Sequence, residues 1–221
     1  MTLESVIWKV LAEAWRYGDT HTARFWEATR IHAFISLAAV SATALLAIPL
    51  GFISAKNSRA RSGIVTFVNL ARVIPAPAIL ALMLPVLGTG QFPVFVALVI
   101  LAFPAVLLNT LTGFRQIDTA TLEAAQGLGM TARQSWIQIE LPLAAPSIMN
   151  GLRIATVDII AGATLGAFIG GGGLGSFIVN GLSMSNPALL IVGALPLALM
   201  AMMTEICFSS LIHRMLRYQR C

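Results

Sequence analysis

Three stretches without a charged side chain decide what this chain can become. No Asp, Glu, Lys or Arg occurs between Arg30 and Lys56, between Arg72 and Arg115, or between Asp158 and Glu205, which leaves uncharged runs of 25, 42 and 46 residues. An apolar run of about 18 residues or more reads as a membrane span, because lipid offers no partner for the backbone and a helix satisfies its own. The second and third runs are too long for one span each. Only 10% of the 221 residues are charged, against roughly 25% in soluble domains, so these runs have no soluble core in which to hide.

The punctuation between the runs sets the number of crossings. The first predicts a span at about 31–55, closed by the basic stretch Lys56-Asn57-Ser58-Arg59-Ala60-Arg61. The second run divides at Leu87-Gly88-Thr89-Gly90-Gln91-Phe92-Pro93, a turn-forming sequence, giving spans at about 64–86 and 94–113. Residues 114–146 mix Arg115, Asp118, Glu123, Arg133 and Glu140 with helix formers and predict a polar helical loop outside the bilayer. A fourth span at about 147–169 leads into a glycine run at 170–175, followed by an uncharged connection through Asn186-Pro187 and a fifth span at about 188–212. The expectation is an all-α membrane protein of about five transmembrane helices. Residues 1–30 form an N-terminal amphipathic segment, with Val6, Val10, Leu11, Ala14 and Trp15 at helical spacing beside Glu4, Lys9, Glu13 and Arg16. Residues 31–212 form the transmembrane domain, and 213–221 a basic tail.

Lys and Arg in short loops stay on the cytoplasmic side. They gather at 56–62, 114–146 and the tail, and are absent from 87–93 and 170–187, so the polar loop and the C-terminus are expected in the cytoplasm and the N-terminus outside. The same distribution reads the net charge of +5 as topology and gives no basic face for nucleic acid. Cys207 and Cys221, and the scattered His21, His32 and His213, form neither a disulfide framework nor a metal-ligand spacing. The interleaved charges of Met1 to Trp15 do not read as a cleavable signal.

The polar loop carries a pattern. Glu123-Ala124-Ala125 is followed after three residues by Gly129, and after nine more by Ile139-Glu140-Leu141-Pro142. From about Thr119 to Leu128 the chain favours helix, and Gly129 is able to turn left-handed at its end. Thr131-Ala132-Arg133-Gln134 fits a capping box that starts a second short helix at once.

This EAA, three residues, Gly, nine residues, I-x-LP pattern resembles the loop that marks permease subunits of ABC importers. Leu108-Asn109-Thr110-Leu111-Thr112-Gly113, Leu141-Pro142-Leu143-Ala144 and Gly166–Gly175 extend the resemblance over about residues 31–212. They are similar to the osmoprotectant branch, which imports glycine betaine, choline and carnitine, and to methionine-type permeases. The resemblance implies a type I ABC importer permease fold in a bacterial inner membrane, with Glu123, Ala124, Ala125, Gly129, Leu141 and Pro142 coupling it to an ATPase subunit. It implies two ATPase copies binding ATP and Mg, no cofactor in this chain, a second permease copy or paralogue, and an extracytoplasmic solute-binding protein. Arg72-Val73-Ile74-Pro75 resembles instead the Arg-x-x-Pro of amino-acid and methionine permeases, which keeps an amino-acid importer as the alternative. A channel or scaffold subunit is the rival of a different class.

Ionisable residues in spans are costly and mark function or pairing. Arg72, Asp158 and Asn109 are candidates for the translocation path, with a structural Asp158–Arg72 pair as the competing reading, and Glu205 is a weaker candidate. Gly170, Gly172, Gly173 and Gly175, with Asn180, are candidates for an outer gate or binding-protein contact, together with Ser183, Ser185 and Asn186. The glycines follow an apolar helix and lack a following Lys-Ser/Thr, so they do not read as a phosphate cradle. Pro75 and Pro77 predict a hinge or a static kink in the second span. Asp158 and Glu205 fall at different expected depths and no catalytic pair converges, which argues against an enzyme.

Overall fold

The computed structural model describes residues 3–219, all in helices and their connections, with no strand among the described residues. In order these are α1 (Leu3–Thr20), α2 (Thr22–Lys56), α3 (Ser58–Ala71), α4 (Ala76–Leu87), α5 (Gln91–Arg115), α6 (Thr119–Gly127), α7 (Ala132–Ser135), a π-helical turn (Trp136–Glu140), α8 (Leu141–Gly166), a 3-10 turn (Ala167–Ile169), α9 (Gly175–Ser183) and α10 (Pro187–Gln219). Four continuous helical segments are long and apolar enough to cross a bilayer: Thr22–Lys56, Gln91–Arg115, Ala132–Ile169 and Pro187–Arg217. A bent pair, Arg61–Ala71 with Ala76–Leu87, brings the candidate crossings to as many as five when its two pieces are read as one broken span.

The structure redraws several edges. α2 opens at Thr22, so Arg24, Glu27 and Arg30 ride on the first turns of the long helix, and the amphipathic helix ends at Thr20. Between α2 and α3 only Asn57 is non-helical, and its Oδ1 accepts the Arg59 N–H (3.0 Å). That cap converts the expected basic loop into a helix start. The span expected at 64–86 breaks after Ala71, and its two pieces are bent by 93°. Pro75 and Pro77 have no N–H to continue the ladder, and Pro75 (φ −63°, ψ 142°) stands at the N-cap of α4. The fourth crossing begins at Ala132, well before residue 147. Arg133 and Glu140, read in the sequence as loop charges, lie within that continuous helical run. Of the basic tail, Arg214 and Arg217 are described, whereas Arg220 and Cys221 lie outside the described residues.

The chain divides into two compact units. The first comprises residues up to Ala39, Pro75–Leu101 and Val157–Met203. Its core gathers Phe177, Leu174, Ile160, Leu189 and Val192 with Ala14 and Ala28, and Val10, Tyr17 and Phe25 pack on its edge. Thus α1 folds onto its own chain through the Val10, Ala14, Tyr17 stripe, while Trp8 and Trp15 remain exposed, as amphipathic aromatics do at a bilayer interface.

The second unit comprises Val40–Ile74, Ala102–Thr156 and residues from Thr204 on. Here the C-terminal half of α2, the C-terminal half of α5 and the start of α8 close around Phe114, Ala144 and Ile148, with Phe52, Ile48 and Leu141 at the border. Glycine sets the approach: a Cβ on Gly51 would lie 2.8 Å from Thr110 Cβ, and one on Gly151 would lie 2.8 Å from Asn109 Cβ. Small residues at such contacts let membrane helices pack backbone to backbone.

Candidate functional site

The loop between α5 and α8, all within the second unit, is held at each corner by a local device. Asp118 sits before α6 in extended conformation (φ −62°, ψ 132°), and its Oδ1 accepts the Ala120 N–H at 3.1 Å. A carboxylate there meets both an orphan donor and the positive end of the helix dipole. The other end of α6 turns back through Gly129 at φ +74°. The Met130 N–H donates to the Ala125 carbonyl (3.1 Å) and the Gly129 N–H to the Gln126 carbonyl (2.9 Å), a Schellman pair whose left-handed position suits glycine. Two residues on, the capping box closes: Thr131 Oγ1 accepts the Gln134 N–H (3.3 Å), and Gln134 Oε1 accepts the Thr131 N–H (2.8 Å).

With both ends fixed, α6 presents a defined face. Glu123 and Ala124 are exposed, whereas Ala125 is only 2% exposed, so the two alanines divide the work: one packs inward and the other faces out. Leu128 is 83% exposed beside them.

The helix begun by Thr131 does not end as a second short helix. It passes through the π-turn, where the Leu141 N–H reaches the Trp136 carbonyl, and runs on as α8. Pro142 lacks the N–H that would serve the Gln138 carbonyl, so the ladder shifts just where a proline would break it. Leu141 packs against the Phe114 cluster and Pro142 lies on the surface. Glu140, at the end of the turn, is 7% exposed and pairs with Lys56 Nζ at 2.6 Å. Lys56 also stands 5.8 Å from the centre of the Phe52 ring, which packs edge-on against Phe114 (4.9 Å) and near Trp136 (5.8 Å). By sequence alone Lys56 reads only as a topology charge. The available signal is a lone acid set between Ile139 and Leu141-Pro142.

Glu205 has its partner in Arg153, at 3.3 Å. Arg153 falls within the expected fourth span, where a cation is as costly as an acid. Asn109 is tied into helix packing: its Nδ2 donates to the Ala105 carbonyl (2.8 Å) and its Oδ1 accepts from Asn150 Nδ2 (3.1 Å). Arg72 is exposed at the break between α3 and α4, in the second unit, and Asp158 is exposed on α8, in the first.

In the first unit, Gly170, Gly172 and Gly173 adopt φ of +86°, +72° and +72°, and the Gly90 N–H donates to the Ile169 carbonyl (2.9 Å). Gly173 has a further reason to lack a side chain, since a Cβ there would come within 3.1 Å of His32 Nδ1. His32 is 1% exposed, and its Nε2 donates to the Ile160 carbonyl at 3.2 Å. Gly175 is buried beside the Thr164 backbone. Asn180 is half-buried on α9, a helix that replaces part of the expected uncharged connection. Asn186 spends its side chain inside the chain, its Oδ1 accepting the N–H groups of Ala188 (3.0 Å) and Leu189 (3.3 Å) with Pro187 at the first helical position of α10.

Residues 47–217 match the family described as binding-protein-dependent transport system inner membrane component. The chain is 41% identical over 174 residues to the choline transport system permease protein OpuBB of Bacillus subtilis, covering 79% of this chain and 80% of that one. It is 38% identical over 184 residues to the carnitine transport permease protein OpuCB of Listeria monocytogenes, covering 83% and 84%. Among solved structures, an inward facing conformation of the MetNI methionine ABC transporter is similar in fold, with a TM-score of 0.74 over 88% of this chain and 95% of that one at 19% identity.

Proposed function

Since the chain belongs to the family of binding-protein-dependent transport system inner membrane components, we propose that it is the permease subunit of an ATP-driven importer of quaternary ammonium osmoprotectants, the glycine betaine, choline and carnitine class. It is a multi-pass inner-membrane transport permease and not an enzyme, and the family implies an ATPase subunit and a substrate-binding protein as partners. The solute class is supported by what its relatives at about 40% identity are named for. The likeness to the methionine transporter, at 19% identity, extends to the fold alone.

The observation that carries the mechanism is the capped α6 with Glu123, Ala124 and Leu128 turned outward. A nine-residue helix is marginal by itself, and here an aspartate cap and a Schellman turn fix it. It is a rigid finger for a groove on the ATPase subunit. Glu123 supplies the charge that pairs there, Ala124 the close approach, and Leu128 the apolar anchor. Gly129 holds the shape, Ala125 and Leu141 pack the loop inward, and Pro142 sets the π-turn from the surface. Two ATPase copies bind ATP and Mg beneath two permeases, either two copies of this chain or this chain and a paralogue. Their closure drives alternating access. The positive-inside distribution puts α6 and the C-terminus in the cytoplasm and the N-terminus outside. Gly170, Gly172, Gly173, Gly175 and Asn180 then belong to the outer side, where the binding protein docks, and Arg72, Asp158 and Asn109 remain the path candidates.

The test is co-expression with candidate ATPase and binding-protein subunits. Wild type captures the ATPase and imports glycine betaine or choline, whereas Glu123→Ala assembles weakly and transports poorly. A wild type that captures no ATPase, with transport unaltered in Glu123→Ala, would instead favour a channel or scaffold subunit.

A further inference from the structure

The ion pair between Lys56 and Glu140 links the end of a transmembrane helix to the segment that carries α6, and it is placed where a structural role alone does not require a charge. Glu140 closes the π-turn and is almost wholly buried, yet it is acidic among apolar neighbours, with Ile139 and Leu141 on either side. Lys56 is the last residue of α2, where a cation also complements the negative end of the helix dipole. The 2.6 Å contact is short for an ammonium on a carboxylate. The Phe52 ring stands beside the ammonium, with Phe114 and Trp136 packed around that ring, while the Lys56 side chain is half exposed and the Glu140 carboxylate nearly buried.

The path from α6 is short and stiff at nearly every joint. The Schellman turn ties Met130 to Ala125, the capping box ties Thr131 to Gln134, and α7 leads directly into the π-turn. The π-turn is the joint of a different kind, because its i to i+5 pattern is an alternative register of the same residues. Glu140 is at its end. We propose that Lys56 and Glu140 are positioning residues that lock this turn to the end of α2, so that a displacement of α6 moves α2 and α8 together. Without the lock the same displacement is absorbed by the turn. The inference rests on α6 being the ATPase contact and deepens that reading by assigning its transmission element.

The experiment uses the complete complex, permease with its ATPase and binding protein, in proteoliposomes, with uptake of labelled glycine betaine and ATP hydrolysis measured in the same vesicles. Expected for Lys56→Met and Glu140→Gln is at least a tenfold fall in solute imported per ATP hydrolysed, with ATPase still bound and hydrolysing. The charge swap Lys56→Glu with Glu140→Lys recovers the ratio to within about threefold of wild type, which a merely space-filling role would not predict. If the single variants fail to assemble, recovery of assembly and transport by the swap still supports the pair. Single variants that keep the wild-type ratio, or a swap that restores neither assembly nor ratio, overturn it. Failure of wild type to bind any ATPase is a different result and refutes the underlying reading.

Discussion

Two glycines, one turn apart in role and two residues apart in sequence, should respond to the same substitution with opposite sign. Gly127 is the last residue of α6 and Gly129 the left-handed residue that follows. A Cβ would meet nothing within 4 Å at either place, so packing drops out and only the backbone decides. At Gly129, φ +74° costs an alanine about 1–2 kcal/mol, a factor of roughly 5–30 in the closed form of the turn. At Gly127, alanine in helical backbone gains about 0.5–1 kcal/mol. The readout is amide hydrogen exchange of the loop in the purified permease, corrected for intrinsic rates. Protection of the Met130 N–H, which donates to the Ala125 carbonyl, should fall about 5- to 30-fold in Gly129→Ala and rise a few-fold in Gly127→Ala. Gly129→Asn should fall between wild type and alanine, since asparagine tolerates this region better. Shifts of the same sign in both alanine variants, or an unchanged Met130 amide in Gly129→Ala, would refute the assignment of the turn.

Asn186→Ala removes the acceptor for the Ala188 and Leu189 N–H groups. It should cost about 1 kcal/mol, seen as faster exchange of those two amides alone. Gly151→Val drives a side chain into Asn109 and the Ala105 carbonyl and should destabilise by about 1–3 kcal/mol, measured as a lower melting temperature in detergent. In a Cys207→Ser, Cys221→Ser background, Thr89→Cys should react with a membrane-impermeant maleimide from outside intact cells. Leu128→Cys should react only after permeabilisation, and bound ATPase should shield it.

Much of this was legible because it depends on short-range chemistry. The uncharged runs locate the crossings, and the Gly129 and Thr131 devices could be named from residue type, since a left-handed turn and a capping box need only their own neighbours. What escaped depends on partners distant in sequence. Glu140 and Arg133 look like loop residues until Lys56 is seen to neutralise one of them within the second unit. Half of α8, all of α9 and about half of α10 separate Arg153 from Glu205, and nothing local marks them as a pair. Asp118 is legible in principle as a cap, being an acid just before a helical run. His32 looked incidental because only the fold brings Ile160 and Gly173 to it. The 93° break was half legible: Pro75 and Pro77 announce an interruption, but not its angle.

The π-turn at Trp136–Glu140 also makes the length of this segment a specification. Each residue added to or taken from a helix rotates everything beyond it by about 100° around the axis. Deleting a residue from the ordinary helix beyond the turn would therefore aim Glu123 and Leu128 in a new direction, whereas deleting one within Trp136–Glu140 would return the wide turn to α-helix with the flanking directions kept. The loop is solvent-exposed and polar, the kind of place where chain length usually drifts freely. Here a change of length should be tolerated at the π-turn and resisted in the ordinary helix on either side of it.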